Sequence, residues 1–463
     1  MLVPTRPGRC DFVELSVRSI NLPFRGMFEC RPAEELVMRR LALICLICVA
    51  AVNVGSGGFG QIPSSSVGEA EIGRRGKLDG VWQWILPDTP NGLRPTQSWH
   101  ATGSSPDGDI YIAGMDHVAN AALYRLKWRA GKLQFVGDAR SASEAVKNWM
   151  PGETAQKFHT RPLWHRGEIF VATMDRSTLD DGYLTRRGFH WYAYDPASNN
   201  FTDLSAREPG GSAVAHGNIV TLASDPVRNV VYGAGVPTGE IYRYDVARGR
   251  TDILGRPGSY DQSYVYTGRV MWVDSRGRLY FTASNSKNPS VYGHVHYYDP
   301  EAGFGEREDW RLQEGQALEV GQCLAKEKQC LFSDDKGHVY RFDDDGPSWT
   351  YLGQIETGQP ATYIWLFHVT ADVSKVYTAT STSPQRSDFT SLYEFDPRTR
   401  KTQRLCTLAE LDPALRDLHI HTGYDAWDPE GRFYFASFNG QPKQPVVLTR
   451  VDPPRLKAAL NKP

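Results

Sequence analysis

A short pattern returns six times along the chain: YAYDP at 192–196, YRYDV at 242–246, HYYDP at 296–300, YRFDD at 340–344, YEFDP at 393–397 and TRVDP at 449–453. Its aspartates, Asp195, Asp245, Asp299, Asp343, Asp396 and Asp452, are 50, 54, 44, 53 and 56 residues apart. A degenerate seventh copy, YRLKW at 124–128, is displaced by an insertion around 140–157. Ahead of the copies lie alternating apolar runs: DIYIAG, EIFVAT, VVYGAG, RLYFTA, QCLFSD, KVYTAT and RFYFAS. Alternation with period two marks half-buried strands, and Asp-Pro or Asp-x-x-x-Gly after the aromatic pair marks the turn into a fourth strand, as in NNFTDL, GRTDIL and KTQRLC. Four antiparallel strands repeated seven times describe an all-β chain, a seven-bladed β-propeller. The last copy has no fourth strand of its own. VWQWILP at 81–87 is expected to supply it and close the ring, which removes two exposed sheet edges.

The rest of the chain agrees with a packed globular domain. Of 463 residues, 40% are hydrophobic and 23% charged, and the 43 Gly, 22 Tyr and 12 Trp suit turn-rich, aromatic strands rather than a helix bundle. Lys+Arg 52 against Asp+Glu 53 gives a net charge of −1, without the basic excess of a general nucleic-acid binder. Arg39-Arg40, the apolar run 41–54 and the small residues from Gly55 have the order of a secretory signal, and the run is too short to span a bilayer. The expected organisation is an upstream extension at 1–37, a signal at 38–62 starting at Met38, a propeller at 78–455 and a tail at 456–463. The product is expected to be a secreted or periplasmic monomer without membrane insertion. Cys323 and Cys330 flank LAKEKQ between two strand-like runs, where a hairpin brings them within disulfide reach, leaving Cys406 as a buried thiol.

Innermost strands of a propeller begin near one mouth of the central channel. Aligning the seven as SWHAT, KFHTR, VAHGN, VYTGR, LEVGQ, TYIWL and HIHTG proposes a ring of His100, His159, His216, Tyr266, Glu319, Tyr363 and His421, with His419 competing for the last place. Imidazoles suit proton transfer and metal ligation alike. Arg161 and Asn218 follow ring members by two residues, and Asp116, His117, Asp175, Arg176, Asn285 and Lys287 follow the second strands at the same mouth. Trp99, Tyr264 and Trp365 offer flat platforms for sugar rings. The Gly-rich stretches lack the strand-to-helix context of a phosphate loop, no Gly-x-Ser-x-Gly elbow occurs, and DSRGR, DDKGH and DDDGP read as turns rather than calcium loops.

The blades, the export signal and the stretch KFHTRPLWHRGEIFVATMD at 157–175 together resemble the seven-bladed propeller polysaccharide lyases, chiefly ulvan lyases and more distantly oligogalacturonate lyases. The resemblance implies β-elimination across a uronic acid in a polysaccharide or oligosaccharide substrate, with His159 as the blade-borne base. His216 stands where that family has a Tyr, and Asp175-Arg176 where it has a second His. Elimination needs a base, an acid and a cation beside the carboxylate. The candidates are His159 or His216, then Tyr266, then Arg161, Arg176 or a divalent ion (Mn, Zn or Ca) on His100, His159, His216 and His421. Trp99, Asn218, Tyr363, Trp365 and Asp175 are the candidate substrate contacts. Two other classes fit the same pattern: a non-catalytic glycan- or protein-binding propeller, and a four-His metal oxygenase.

Overall fold

Each alternating run forms a strand, and each repeat folds into one antiparallel sheet. The computed structural model describes residues 71–174, 187–258, 265–285, 293–313, 317–356, 363–381, 390–441 and 444–462. Seven four-stranded blades stand in a ring, a seven-bladed β-propeller. Blade 3 shows the simplest order, Ile219–Asp225, Val230–Gly235, Ile241–Asp245 and Arg250–Gly255 from the axis outward. The repeated aspartate has a local role. Its carboxylate accepts backbone N–H bonds from the succeeding turn: Asp195 from Ala197 (2.8 Å), Asp245 from Arg248 (2.9 Å), Asp299 from Glu301 (2.9 Å) and Asp396 from Arg398 (2.9 Å). The acidic stretches beginning at Asp274 and Asp334 are likewise turns, each capping its own backbone and accepting a bond from the tyrosine six residues on, Tyr280 (3.1 Å) and Tyr340 (3.0 Å).

The ring closes as the missing fourth strand of the last repeat requires. Val81–Ile85 pairs antiparallel with Val447–Val451, Val81 opposite Val451 and Ile85 opposite Val447, so the first and last parts of the propeller share blade 7. Trp84 and Leu86 are buried with Tyr434, Ala436 and Leu448 on one side of that blade, and Val81 with Phe435, Val447 and Leu456 on the other. Cores of this kind lie between successive blades, which explains the aromatic pairs: Tyr192, Tyr194, Tyr242, Tyr244 and Tyr340 are all fully buried.

Both ends of the domain differ from the sequence expectation. Glu71–Ile72 pairs with Lys132 and Leu133 on the outer strand of blade 1, and Arg74–Arg75 pairs with the closing strand, ahead of the expected start at 78. Two-residue strands carry too little alternation to register. The expected tail is the end of a helix, Pro453–Leu460, in which Asp452 accepts the Arg455 N–H (3.2 Å) and Leu456 is fully buried. Asp-Pro there caps a helix instead of turning a strand. The insertion after blade 1 begins with the helix Ala139–Ala145, capped by Asp138. The Cys323–Cys330 disulfide is formed and Cys406 is a buried free thiol. The expected extension and signal lie outside the described residues. Among the described residues no helix is long and apolar enough to cross a membrane.

Candidate active site

The innermost strands do not run straight past the axis. In four blades one residue is extra relative to the neighbouring strand: Val220, Glu319, Trp365 and His421. In blade 4 residues 268–270 lie between the pairs Thr267–Ala283 and Met271–Phe281, opposite Thr282. In blade 2 the inner strand is split into Lys157–Phe158 and Leu163–His165 with His159 in the gap. His100 stands before the inner strand of blade 1 with φ 50°, in the left-handed region. Bulges re-aim the side chain of the extra residue. Four of the residues so placed are joined by ring contacts, His159, Trp365 and His421 each to His100 and Trp365 also to His421, and a fifth, Glu319, pairs with Arg269.

His100 is the hub. Its ring centroid is 5.0 Å from His159, 5.3 Å from His421 and 5.0 Å from Trp365. Trp365 stacks on His421 at 3.8 Å, and Trp99 packs against the same imidazole at 3.9 Å. His100, His159 and His421 are 1%, 3% and 8% exposed, yet both nitrogens of His100, Nδ1 of His159 and Nδ1 of His421 make no hydrogen bond. Buried polar atoms are ordinarily satisfied, so nitrogens left bare in one place are available to a ligand or to water. Burial first, and then the positive charge of Arg269, holds the His100 and His159 imidazoles well below the usual histidine range. Burial and the neighbouring His419 do the same for His421, with Arg269 and Lys157 adding to the effect. Three neutral bases thus share electropositive surroundings.

Two cations create that potential. Arg269 lies 3.8 Å from the Glu319 carboxylate. Lys157 sits 3.4 Å from His117 Nε2 and over the Trp99 ring. Below the imidazoles the Tyr424 hydroxyl donates to the His100 carbonyl (3.3 Å), and burial pushes its pKa up to about 12. Arg161 is paired with Asp425 at 3.2 Å.

No family model matches the chain, and no curated protein does. Similar solved structures include a chain of the mitotic checkpoint complex, at 10% identity and TM-score 0.48, covering 86% of this chain and 99% of that one. Another is the extracellular domain of a one component system from B. thetaiotaomicron, at 10% identity and TM-score 0.45, covering 76% of this chain and 38% of that one. Neither likeness bears on function.

The structure brings together His100, His159, His421, Trp99 and Trp365 from the sequence-derived set. His216 differs from these in being exposed, with φ 61°, beside the short two-stranded pairing of Gly188–Phe189 with Val214–Ala215. Asn218, two residues on, is buried. Asp116 is used by its own turn, accepting the N–H groups of Val118, Ala119 and Asn120. Tyr266, Tyr363 and Asn285 lie on described strands, but their side chains, like Tyr264, Asp175, Arg176 and Lys287 entirely, fall outside the described residues. At the bulge the structure has Val220, Arg269 and Trp365 where the alignment nominated His216, Tyr266 and Tyr363. Arg269, Lys157 and Tyr424 were not singled out by sequence. Aligning the blades on their second strands, at Ala234, Ser333, Ala379 and Ala436, finds the bulge position because that register is unbroken; in blade 4 a signal is Gly268, where a Cβ would come 2.5 Å from Thr282 Oγ1.

A four-histidine metal set is at odds with this geometry. Neutral imidazoles with bare nitrogens are suitable donors, but His216 is apart from the other three in exposure, and among the described residues no three His, Cys, Asp or Glu side chains close on one point as a metal centre. The residues as placed do not fit a four-histidine ion, and no step of the reaction is routed through one.

Proposed function

We propose that the axial cluster is the active site of an exported polysaccharide lyase that cleaves a uronic-acid-containing glycan by β-elimination. The observation that carries this is the set of three buried, neutral imidazoles beside Arg269, four of whose ring nitrogens make no hydrogen bond. A proton next to a carboxylate can be removed only if the developing charge is neutralised and an unprotonated base is at hand. Arg269 and Lys157 are the neutralising cations, in place of Arg161, which is held by Asp425. His159 takes the C5 proton; the electron pair forms the C4=C5 bond; the C4–O bond breaks; and the departing glycosidic oxygen receives a proton from an acid, for which Tyr266 is the nominee on sequence grounds. The depressed basicity of His159 follows from burial and from Arg269 and Lys157. A bound uronate carboxylate offsets those cations and restores basicity where the reaction needs it. Trp99 and Trp365 are the platforms for the flanking sugars. The bridged Cys323–Cys330 pair agrees with an oxidising compartment.

The test is incubation of the purified protein with a panel of uronic-acid polymers, with and without Mn²⁺, Zn²⁺ or Ca²⁺, following ultraviolet absorbance of 4,5-unsaturated ends. Expected is product from at least one polymer without added metal, lost in His159→Ala and Arg269→Ala. No product from any polymer under any condition refutes the lyase. Retained glycan binding by His100→Ala, His159→Ala and His421→Ala variants of an inactive protein favours the binding module instead.

A further inference from the structure

The bare nitrogens of the axial cluster belong to a row of three rings. His159 and His421 each touch His100, at centroid distances of 5.0 and 5.3 Å, and among the described residues they make no ring contact with each other. His159 Nδ1, both nitrogens of His100 and His421 Nδ1 are buried without a hydrogen bond. The Nε2 atoms of His159 and His421 are not enclosed with them, and among the described residues neither has a partner. A neutral imidazole donates from one nitrogen and accepts at the other, whereas an imidazolium only donates. Burial holds all three rings neutral. At these separations two ring nitrogens turned toward each other are about 3 Å apart, which is hydrogen-bond distance. The rings as they stand make no such bond, and catalytic bonds commonly tighten only in the substrate complex.

We propose that His421 is the catalytic acid of the elimination and that His100 carries the proton to it from His159. The proposal rests on the lyase reading and deepens it by taking the acid from the structure. His159 takes the C5 proton on Nε2 and releases its Nδ1 proton to His100. His100 accepts on one nitrogen and releases a proton from the other to His421 Nδ1. His421 releases its Nε2 proton to the glycosidic oxygen, which keeps the electron pair of the broken C4–O bond, while the C5–H pair becomes the C4=C5 bond. One proton enters the row and one leaves, and no co-reactant is used. Each ring ends in its other tautomer and is reset through water once product has left. The reacting groups are on adjacent carbons, so base and acid have to be near neighbours, as two rings on one hub are. His421 is flanked by Trp365 at 3.8 Å and Trp99 at 3.9 Å, and aromatic rings stabilise the charge it carries while the proton passes. Tyr424 is a poor acid by comparison: its hydroxyl donates to the His100 carbonyl, and burial pushes its pKa up to about 12.

The experiment uses oligosaccharides prepared from a polymer the wild type cleaves, and the same uronate carrying 4-nitrophenol at C4, whose departing oxygen needs no proton. His421→Gln is expected to lose at least about 100-fold in kcat on the oligosaccharide and to stay within about 10-fold of the wild type on the nitrophenyl substrate, whereas His159→Gln loses both. Equal losses of His421→Gln on both substrates overturn the acid assignment and leave the lyase standing. His100 has φ 50°, which glycine adopts readily, so His100→Gly opens a ring-sized gap. Added imidazole is expected to restore its activity at least about 10-fold, and 1-methylimidazole, which fills the gap with one nitrogen blocked, is not. Rescue by both alike, or by neither, overturns the relay. Where a variant does not fold, the wild type decides: its oligosaccharide rate in mixtures of H2O and D2O is expected to curve with deuterium fraction because several protons move, and a straight line overturns the relay. Failure to cleave any polymer refutes the lyase, and the relay falls with it.

Discussion

Removal of the Trp84 side chain is the sharpest test of how the ring is held shut. Trp84 is 2% exposed in the closing strand, packs against Tyr434 and Leu448, and donates its indole N–H to the Gly131 carbonyl (2.8 Å), tying blade 7 to blade 1. Gly73 lies so close beneath the indole that a Cβ there would be 2.4 Å from Trp84 Cε2. Truncating a buried Trp to Ala costs about 3–5 kcal/mol in lost transfer energy and residual cavity. The Gly131 carbonyl is half-buried and can turn to water, so its bond adds little. For the roughly 350 described residues at roughly 2.1 cal/mol/K each, the unfolding entropy is about 0.7 kcal/mol/K, so a loss of about 4 kcal/mol lowers Tm by about 5 °C. Scanning calorimetry on the wild type, Trp84→Ala and Trp84→Phe is the assay, with Trp84→Phe recovering part of the loss. Because blade 7 is built from both ends of the domain, the whole transition moves. A Tm unchanged within about 1 °C, or a small separate transition ahead of an unshifted main one, would show that the strand is an appendage and the ring is held otherwise.

The buried ionisable groups set further expectations. His190 is hydrogen-bonded to Asp203 and ion-paired with Glu153, both at 2.9 Å; burial opposes its charge, but the two carboxylates push its pKa up to about 9. A raised imidazole stabilises fully below its unfolded value near 6.5 and loses that contribution as pH rises toward 9, so His190→Asn should destabilise by about 3–5 kcal/mol at pH 6 and by clearly less at pH 9.5, read from denaturant melts. His368 and His419 are lowered to about 3 and about 4 by burial, and the axial imidazoles lie well below their ordinary value too. The unfolded chain therefore takes up protons first as pH falls below about 6.5, at about 1.4 kcal/mol per pH unit for each such group; His368→Gln should flatten the stability profile between pH 6 and 4 by about one proton, and an unchanged slope refutes it. Cys323→Ser with Cys330→Ser should cost about 2–3 kcal/mol through the short loop released in the unfolded state, measured by urea unfolding. Cys406, whose thiol burial pushes up to about 12, should resist a thiol reagent until the protein unfolds; fast labelling of the native state contradicts its burial.

The chain announces its architecture because the signals are local. Alternation within DIYIAG or RFYFAS and the Asp turn after each aromatic pair depend only on neighbours a few residues away, and the absence of a fourth strand after Asp452 already pointed to 81–87. The same locality made the ends misleading. Asp452-Pro453 resembles the other Asp-Pro turns, and only the apolar surface offered by Val81, Val451 and Leu411 makes residues 453–460 a helix, by burying Leu456.

The site was half legible. Glu319 and His421 were nominated at positions where the bulge falls, and His100 and His159 beside them, because each adjoins a readable strand start. His216, Tyr266 and Tyr363 were nominated where Val220, Arg269 and Trp365 stand. A bulge adds one residue at the edge of an alternating run, where turn residues already blur the period, and so leaves no mark in composition or spacing. What the amino-acid order settles alone is the repeat, the blade, the closing strand and the stock of histidines. Which side chains meet on the axis, and that the three imidazoles there are neutral, is settled in three dimensions, because burial and the charge of Arg269 are imposed by strands from blades far apart in the chain.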